Sequence, residues 1–390
     1  MPSSKPAAPP SQGKDLMTTL HRPRLLPALA LALLAAPAAL AEDGFPAVKF
    51  SGFASIVAGQ IVNHAAPGSD PEPGKSGPIY LADWSNWGAY SKTLSLQPES
   101  RAGAQAVVSF SESLRFTGQM VVRGTDSTPA LTWAYVAYDL SPEWELQVGR
   151  KRIPLYYYSD FQDIGFSYPW VSPPPEVYGW DATNYNGASL RYKTVLGSTT
   201  VAASVFGGKE TVKESRYMIS AGLSKADVTW SNIRGGDLEV TKDWLTVRGV
   251  FIQADPSVVD RLNSANNYQQ KMTAYGLAAN GDFGNLFVLT EFAQNNRTSA
   301  GYETKAPCYT VGLGYRLGKW TPFLNFAEYR ETTTNPSYAP VSYMRPSLTL
   351  RYDVASSASL KLQVDRYLEY RGTAFTTDST VVRLALDVVF

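Results

Sequence analysis

Past residue 41 the chain holds one histidine, His64, and one cysteine, Cys308. Nucleophilic hydrolysis needs a base oriented by an acid and set beside a nucleophile. His64 sits in GQIVNHA, where no nucleophile motif stands near it. A hydrolase is therefore weighed and set aside. Metal centres usually draw on clusters of His or Cys, and the sequence offers none. A lone cysteine excludes an internal disulfide and any CxxC site. Asp70 and Glu72 could meet calcium in an external loop, though the pair is unspecific. What the chain does hold is charge in facing sets. Arg115, Arg123, Arg150, Arg152, Arg191 and Lys193 flank a stretch that carries Asp160, Asp163, Glu176 and Asp181. Bases and acids with no nucleophile between them shape a field for ions and select what passes. No catalysis and no cofactor is expected.

The acids lie in PLYYYSDFQDIGFSYPWVSPPPEVYGWDATN, residues 154–184, which has neither helical nor strand periodicity. Unstructured connections this long are functional or disordered, and disordered segments are poor in aromatic residues. Tyr156, Tyr157, Tyr158, Phe166 and Trp170 argue for burial, and five prolines stiffen the segment. The rings are expected to pin the loop to a wall; a stacking track for sugars is the competing reading.

That wall is legible on either side. From Val48 onward, segments of about ten residues alternate apolar with polar or small side chains, as the strands of transmembrane barrels do. Leu114, Phe116, Met120 and Val122 alternate with Arg115, Thr117, Gln119 and Arg123. Seven short polar turns interleave with eight longer connections, including 65–97, 126–129, 154–184, 207–233 and 295–306, which gives sixteen strands with both ends on one side. A soluble β-sandwich is disfavoured by Trp144, Trp244 and Trp320 at strand ends and by basic residues at mid-strand. Sixteen closed strands enclose water, whereas about eight pack solid.

Strand parity sends Arg101, Arg115, Arg123, Arg191, Lys193, Arg248, Arg316, Arg345, Arg351, Lys361 and Arg383 inward. Among the acids it sends Asp139, Glu145, Glu291, Asp353, Asp365, Glu369 and Asp387 the same way. It sends Arg150 outward with Trp144, Leu146 and Val148, at about 2–4 kcal/mol in mid-bilayer. A bulge at Gly149 is expected to turn it inward. The chief pairing expected is Arg150, Arg191 and Lys193 against Asp160 and Asp163.

At the start, His21, Arg22 and Arg24 precede the apolar run from Leu25 to Leu34 and the small-x-small triplet Ala39-Leu40-Ala41. This reads as a secretory signal over 1–41, with Met17 as the expected start and a single barrel domain over 42–390. Its removal takes four bases and one acid from a chain of net charge +1 and leaves −2. A near-neutral chain gives no case for nucleic acid as partner.

The last residues carry the sharpest pattern. Val382, Leu384, Leu386, Val388 and Phe390 alternate up to a terminal phenylalanine. This resembles the closing strand of Gram-negative outer-membrane barrels. With the signal, the strand count and the long third external connection, the chain is similar to the general porins. That resemblance implies a homotrimer in outer-membrane lipid and recognition of Phe390 by the barrel-assembly machinery. It also implies passive diffusion of small hydrophilic solutes and ions through an eyelet made by the third loop, whose sequence here lacks the family's PEFGG motif. A structural or adhesive barrel is the alternative, with Tyr80, Trp84, Trp87 and Tyr90 of the first long connection capping a partner.

Overall fold

The computed structural model describes residues 44–64, 78–371 and 378–390. The expected signal over 1–41 and the pair Asp70 and Glu72 lie outside the described residues.

Sixteen antiparallel strands close into a barrel. In chain order they are β1 (Ala47–His64), β2 (Arg101–Ser109), β3 (Leu114–Arg123), β4 (Asp126–Asp139), β5 (Trp144–Arg152) and β6 (Asn184–Leu196). Next come β7 (Thr199–Val212), β8 (Ala226–Lys242), β9 (Leu245–Asp260), β10 (Lys271–Phe283) and β11 (Leu286–Ser299). The last five are β12 (Tyr302–Tyr315), β13 (Trp320–Arg330), β14 (Ser342–Ala355), β15 (Ala358–Arg371) and β16 (Ser379–Val389). Each strand pairs with its sequence neighbours, and β16 returns to β1 with Phe53 opposite Val389 and His64 opposite Ser379. The dipeptides Tyr268–Gln269 and Thr332–Thr333 add short rungs to β9 and β12.

The alternation resolves into two faces. Leu348, Leu350, Leu360, Leu362, Leu384 and Leu386 are exposed outward, while Thr349, Lys361, Gln363, Asp365 and Arg383, which alternate with them, are buried inward. Such a wall presents hydrocarbon to lipid and satisfies every ladder hydrogen bond inside the ring. At the short-turn end, aromatic pairs bridge adjacent strands: Trp144 with Tyr192, Trp244 with Phe283, and Trp320 with Tyr352, at centroid separations of 4.8, 4.6 and 4.5 Å. This is an interfacial girdle.

The connection ending at Pro129, short in the sequence and open there to reading as a docking edge or a tight hairpin, is a tight hairpin, and the longer one expected at 295–306 is a tight hairpin too. Strand β4 already begins at Asp126, and β11 and β12 run to Ser299 and from Tyr302 around a two-residue turn. The stretch expected at 207–233 shrinks likewise to 213–225 between β7 and β8. Polar residues mark those segments as loops in the sequence, but they are strand continuations beyond the apolar band, where both faces can be polar. The first long connection also differs from expectation. Its hairpin, Tyr80–Asp83 with Gly88–Tyr90, packs on its own barrel. Tyr80 and Tyr90 are fully buried, and Trp84 stacks on Tyr343 of β14.

Near the third connection three strands meet at glycines. Gly149, Gly187 and Gly208 pair in one row. A Cβ on Gly187 would fall 1.9 Å from the Gly207 carbonyl oxygen and 2.7 Å from the Gly208 Cα. Gly187→Val is therefore expected to lower the folded, heat-modifiable fraction on semi-native gels, with a penalty of at least about 1–3 kcal/mol. Ala188→Val, one residue along and facing outward, is expected to leave that fraction unchanged.

Candidate functional site

Residues 153–183 connect β5 to β6 and contain two single 3-10 turns and one short helix, Pro175–Tyr178. Proline at the first helical position suits that helix, since its missing N–H has no partner there anyway. The segment is held by inward-facing residues from widely separated strands. Arg101 on β2 donates from Nε to the Asp163 carbonyl at 2.8 Å and also bonds the Tyr168 hydroxyl. Arg248 on β9 donates to the carbonyls of Tyr156 and Pro154, at 3.0 and 2.6 Å. Glu291 on β11 accepts from the Tyr157 N–H at 2.8 Å and from the Tyr178 hydroxyl. Arg351 on β14 donates to Phe166 and Tyr168 carbonyls at 2.8 and 3.2 Å. Lys361 on β15 donates to those of Gly165 and Trp170 at 2.6 and 2.7 Å. A hydrogen bond with one charged partner contributes about 1.5–3 kcal/mol, so this set offsets part of the entropy of ordering the segment, which its prolines already reduce, and the buried rings add to it.

The acids sort into distinct roles. Asp163 is buried between Arg123, at 2.7 Å, and Arg152, whose guanidinium also contacts it. Burial alone would raise its pKa; the guanidiniums of Arg123, Arg152 and Arg101 outweigh burial and hold the carboxyl well below the usual range. Glu176 is sealed against Arg345 of β14 at 2.8 Å. Asp160 remains exposed, and Asp181 is half-buried. The expected pairing is thus corrected. Arg150 meets the buried Glu210 at 2.5 Å, and Arg191 meets Glu145 at 3.8 Å while staying half exposed. Arg115 bonds Asp139 at 2.6 Å and also Glu145. Lys193 is exposed, on the same strand face as Arg191. The reason is reach: Asp163 sits at the β2–β3 wall, beside the bases nearest to it.

No bulge occurs at Gly149, whose pairing runs through without a register shift. The bulge lies one strand away, where Gln119 pairs with Trp133 but Met120 pairs with Leu131, leaving Thr132 as the extra residue. Two carbonyls freed near it are taken up again. Arg150 Nε donates to Leu131 at 2.7 Å, and Asn184 Nδ2 donates to Thr132 at 2.7 Å. Gly149 adopts a φ of 140°, a region closed to side chains, and the turned backbone lets Arg150 reach Glu210.

The loop rings pack with one another and with the wall. Tyr156, Tyr158 and Trp170 are buried; Trp170 meets Phe323 of β13 edge-on at 5.2 Å, and Tyr156 lies 4.7 Å from Tyr178. Tyr157 and Phe166 are half-buried, with the Arg351 guanidinium 4.7 Å from the Phe166 ring centre. Trp180 and Trp230 of β8 complete this packing at 5.1 Å, a contact the sequence reading missed. Beside the loop lies a cavity of about 170 Å3 lined by Arg101, Arg123, Arg150, Arg152, Asp163, Asp181, Glu210, Thr132 and Asn184.

No protein-family model and no curated protein matches this sequence. Solved structures do. The outer membrane channel DcaP of Acinetobacter baumannii is similar over 91% of this chain and all of its own, with a TM-score of 0.60 at 12% identity. An anion-selective porin from Comamonas acidovorans is similar over 88% of this chain and 99% of its own, with a TM-score of 0.55 at 14% identity. OmpF of Salmonella typhi, in complex with daunomycin, is similar over 88% of this chain and 98% of its own, with a TM-score of 0.57 at 12% identity. At such identities the likeness is one of fold: the closed barrel of outer-membrane porins.

Asp163→Asn leaves the guanidiniums of Arg123 and Arg152 without their counter-charge, and is expected to destabilise the folded protein by roughly 3 kcal/mol. Asp160→Asn is expected to change it by less than about 0.5 kcal/mol. Urea unfolding of the detergent-solubilised protein measures both. Because the folded pKa of Asp163 is depressed, its contribution is present above the unfolded value of about 3.9 and fades only as pH falls below that toward the folded value. The difference between wild type and Asp163→Asn should therefore persist at pH 5 and shrink in stronger acid.

Proposed function

We propose that this chain is an outer-membrane porin, a passive diffusion channel for small hydrophilic solutes and ions. Its third external loop folds into the lumen and forms the eyelet. The observation that carries this reading is the set of hydrogen bonds from residues 154–178 to inward side chains on β2, β9, β11, β14 and β15, positions that stand on different sides of a closed ring. A segment bound to all of them crosses the space they enclose. The apolar outer wall and aromatic girdle support an outer-membrane location, with export by a cleaved signal over 1–41.

The eyelet field comes from charges that remain in water. Asp163, Glu176 and Arg152 are locked in buried pairs, so Asp160 on the loop and Arg191 and Lys193 on the wall face the solute most directly. Arg115, Arg123, Arg150 and Asp181 form the partly shielded border. The aromatic residues anchor the loop. Hydrolysis forms no part of this reading. Cys308 is buried, with its thiol on the Ala293 carbonyl, and His64 ends β1 opposite Ser379.

The channel is a homotrimer in this reading. The outward face of β1–β4 sets the small residues Ala54, Ala58, Ala104, Ala106, Gly118 and Ala134 between exposed Phe50, Ile56, Met120 and Val136, an apolar relief on which a neighbouring wall can pack. Phe390, whose ring is exposed and whose backbone pairs with Gly52, is the contact for the assembly machinery. The alternative of an adhesive barrel loses support, because Tyr80, Trp84 and Tyr90 are spent on the protein's own interior.

Single-channel recording across a salt gradient tests the proposal. Wild type should conduct. Asp160→Asn should move the reversal potential toward anion preference, and Arg191→Gln toward cation preference. Each change should alter the permeability ratio by up to roughly fivefold, the weight of about 1 kcal/mol at 4 Å in water. Absence of any conductance would remove the porin reading. Two unchanged reversal potentials would remove the eyelet charges.

A further inference from the structure

The first long connection carries an ordered tip whose place the porin reading does not explain. Tyr80 lies with the guanidinium carbons of Arg345 and Arg383 at 4.6 and 5.7 Å from its ring centre. Tyr90 covers Gly59, where a Cβ would come within 2.7 Å of the ring, so only glycine leaves room for it. Gly59 also bridges to Ser95, and the Ile61 N–H donates to the Ser91 carbonyl at 2.8 Å, which sews the connection to the edge of β1 beyond the end of its pairing with β2 at Ser55 and Arg101. At the tip, Asp83 accepts from the Asn86 N–H and Nδ2, at 3.1 and 2.7 Å. The Ser85 hydroxyl donates to the Trp180 carbonyl of the third loop at 2.6 Å, and Arg216, between β7 and β8, donates to the Asn86 carbonyl at 3.1 Å. Residues 82–86 of this tip line the 170 Å3 cavity together with Arg101, Arg123, Arg150 and Arg152, of which Arg123 and Arg150 keep part of their surface open.

We propose that the hairpin Tyr80–Tyr90 is a second selectivity element: it packs against the β14–β1 side of the lumen and leaves permeation to the chamber that its tip shares with the half-open guanidiniums of Arg123 and Arg150. The inference rests on the porin reading. It follows from occupancy. Arg345 and Arg383 point inward on the β14–β16 wall yet are sealed beneath Tyr80 of the hairpin, and Lys361 and Asp387 are sealed beneath Gly165 and Trp170 of the third loop, so no solute travels along that wall. The wall from β2 to β6 keeps Arg115, Lys151, Arg191 and Lys193 at least partly open. A solute must pass there, and it meets Trp84 and Ser85 on one flank and guanidinium on the other. The filter is therefore built from two loops that hold each other, through Ser85 and Trp180.

Ser85→Cys, a near-isosteric change at the tip, tests this in planar bilayers. The channel is treated with thiol-reactive methanethiosulfonates bearing either a trimethylammonium or a sulfonate group. Both adducts should lower single-channel conductance by roughly half, since hindrance and charge at a constriction set the current. The two should shift the reversal potential in opposite directions. Wild type treated alike should not respond, its one thiol at Cys308 being buried. Asn86→Cys gives a second position that must behave the same way. Complete labelling by mass spectrometry with unchanged conductance and reversal potential would overturn the inference, as would refusal of both positions to label in the folded channel. A wild type that passes no ions would instead defeat the porin reading itself.

Discussion

Strand β16 closing on β1 is the pairing on which everything else rests. In hydrocarbon no water can satisfy a free N–H or carbonyl, and an open edge would leave a whole row of them unmet. The chain avoids this by pairing its last strand with its first, down to the two backbone bonds between Phe390 and Gly52, at 2.8 and 3.0 Å. Closure also decides which face is which. Once the ring is shut, the period-two alternation sends Leu348, Leu350, Leu360, Leu362, Leu384 and Leu386 to lipid and Arg345, Lys361 and Arg383 to the interior.

Enclosing that many charges raises a second problem, which the third loop resolves. Arg345, Lys361 and Arg383 are removed from water almost completely, and an unpaired buried cation is costly. Each has an acid nearby: Glu176 at 2.8 Å for Arg345, Asp387 at 2.9 Å for Lys361, and both Glu99 and Asp365 for Arg383. Glu176 comes from the third loop and Glu99 from the end of the first long connection. The loops therefore complete the electrostatics of the wall while the wall fixes the loops. Neither arrangement is stable without the other.

The parts legible in the sequence were those with a local cause. Alternation is a property of neighbours, so the sixteen strands, the short turns and the inward parity of Arg248, Glu291 and Lys361 could be read residue by residue. The burial of Tyr156 and Trp170 followed from composition. What escaped depends on distant segments meeting. Which base reaches Asp163 is decided by where the loop lies across the ring, so Arg123 and Arg152 could not be told from Arg191. Gly149 attracted the expectation of a bulge because glycine permits one. The extra residue is Thr132, chosen by Gln119 and Asn184, two partners on other strands. The inward packing of Tyr80 and Tyr90 left no trace beyond a glycine at 59.

Most of the grip on the third loop is taken on its main chain. Arg101, Arg248, Arg351 and Lys361 bind the carbonyls of Pro154, Tyr156, Asp163, Gly165, Phe166, Tyr168 and Trp170, atoms that every amino acid supplies. Those bonds hold whatever side chains occupy the water-facing positions between them. Exposed residues such as Asp160 can therefore be exchanged, and the charge facing the lumen altered, without first rebuilding the scaffold.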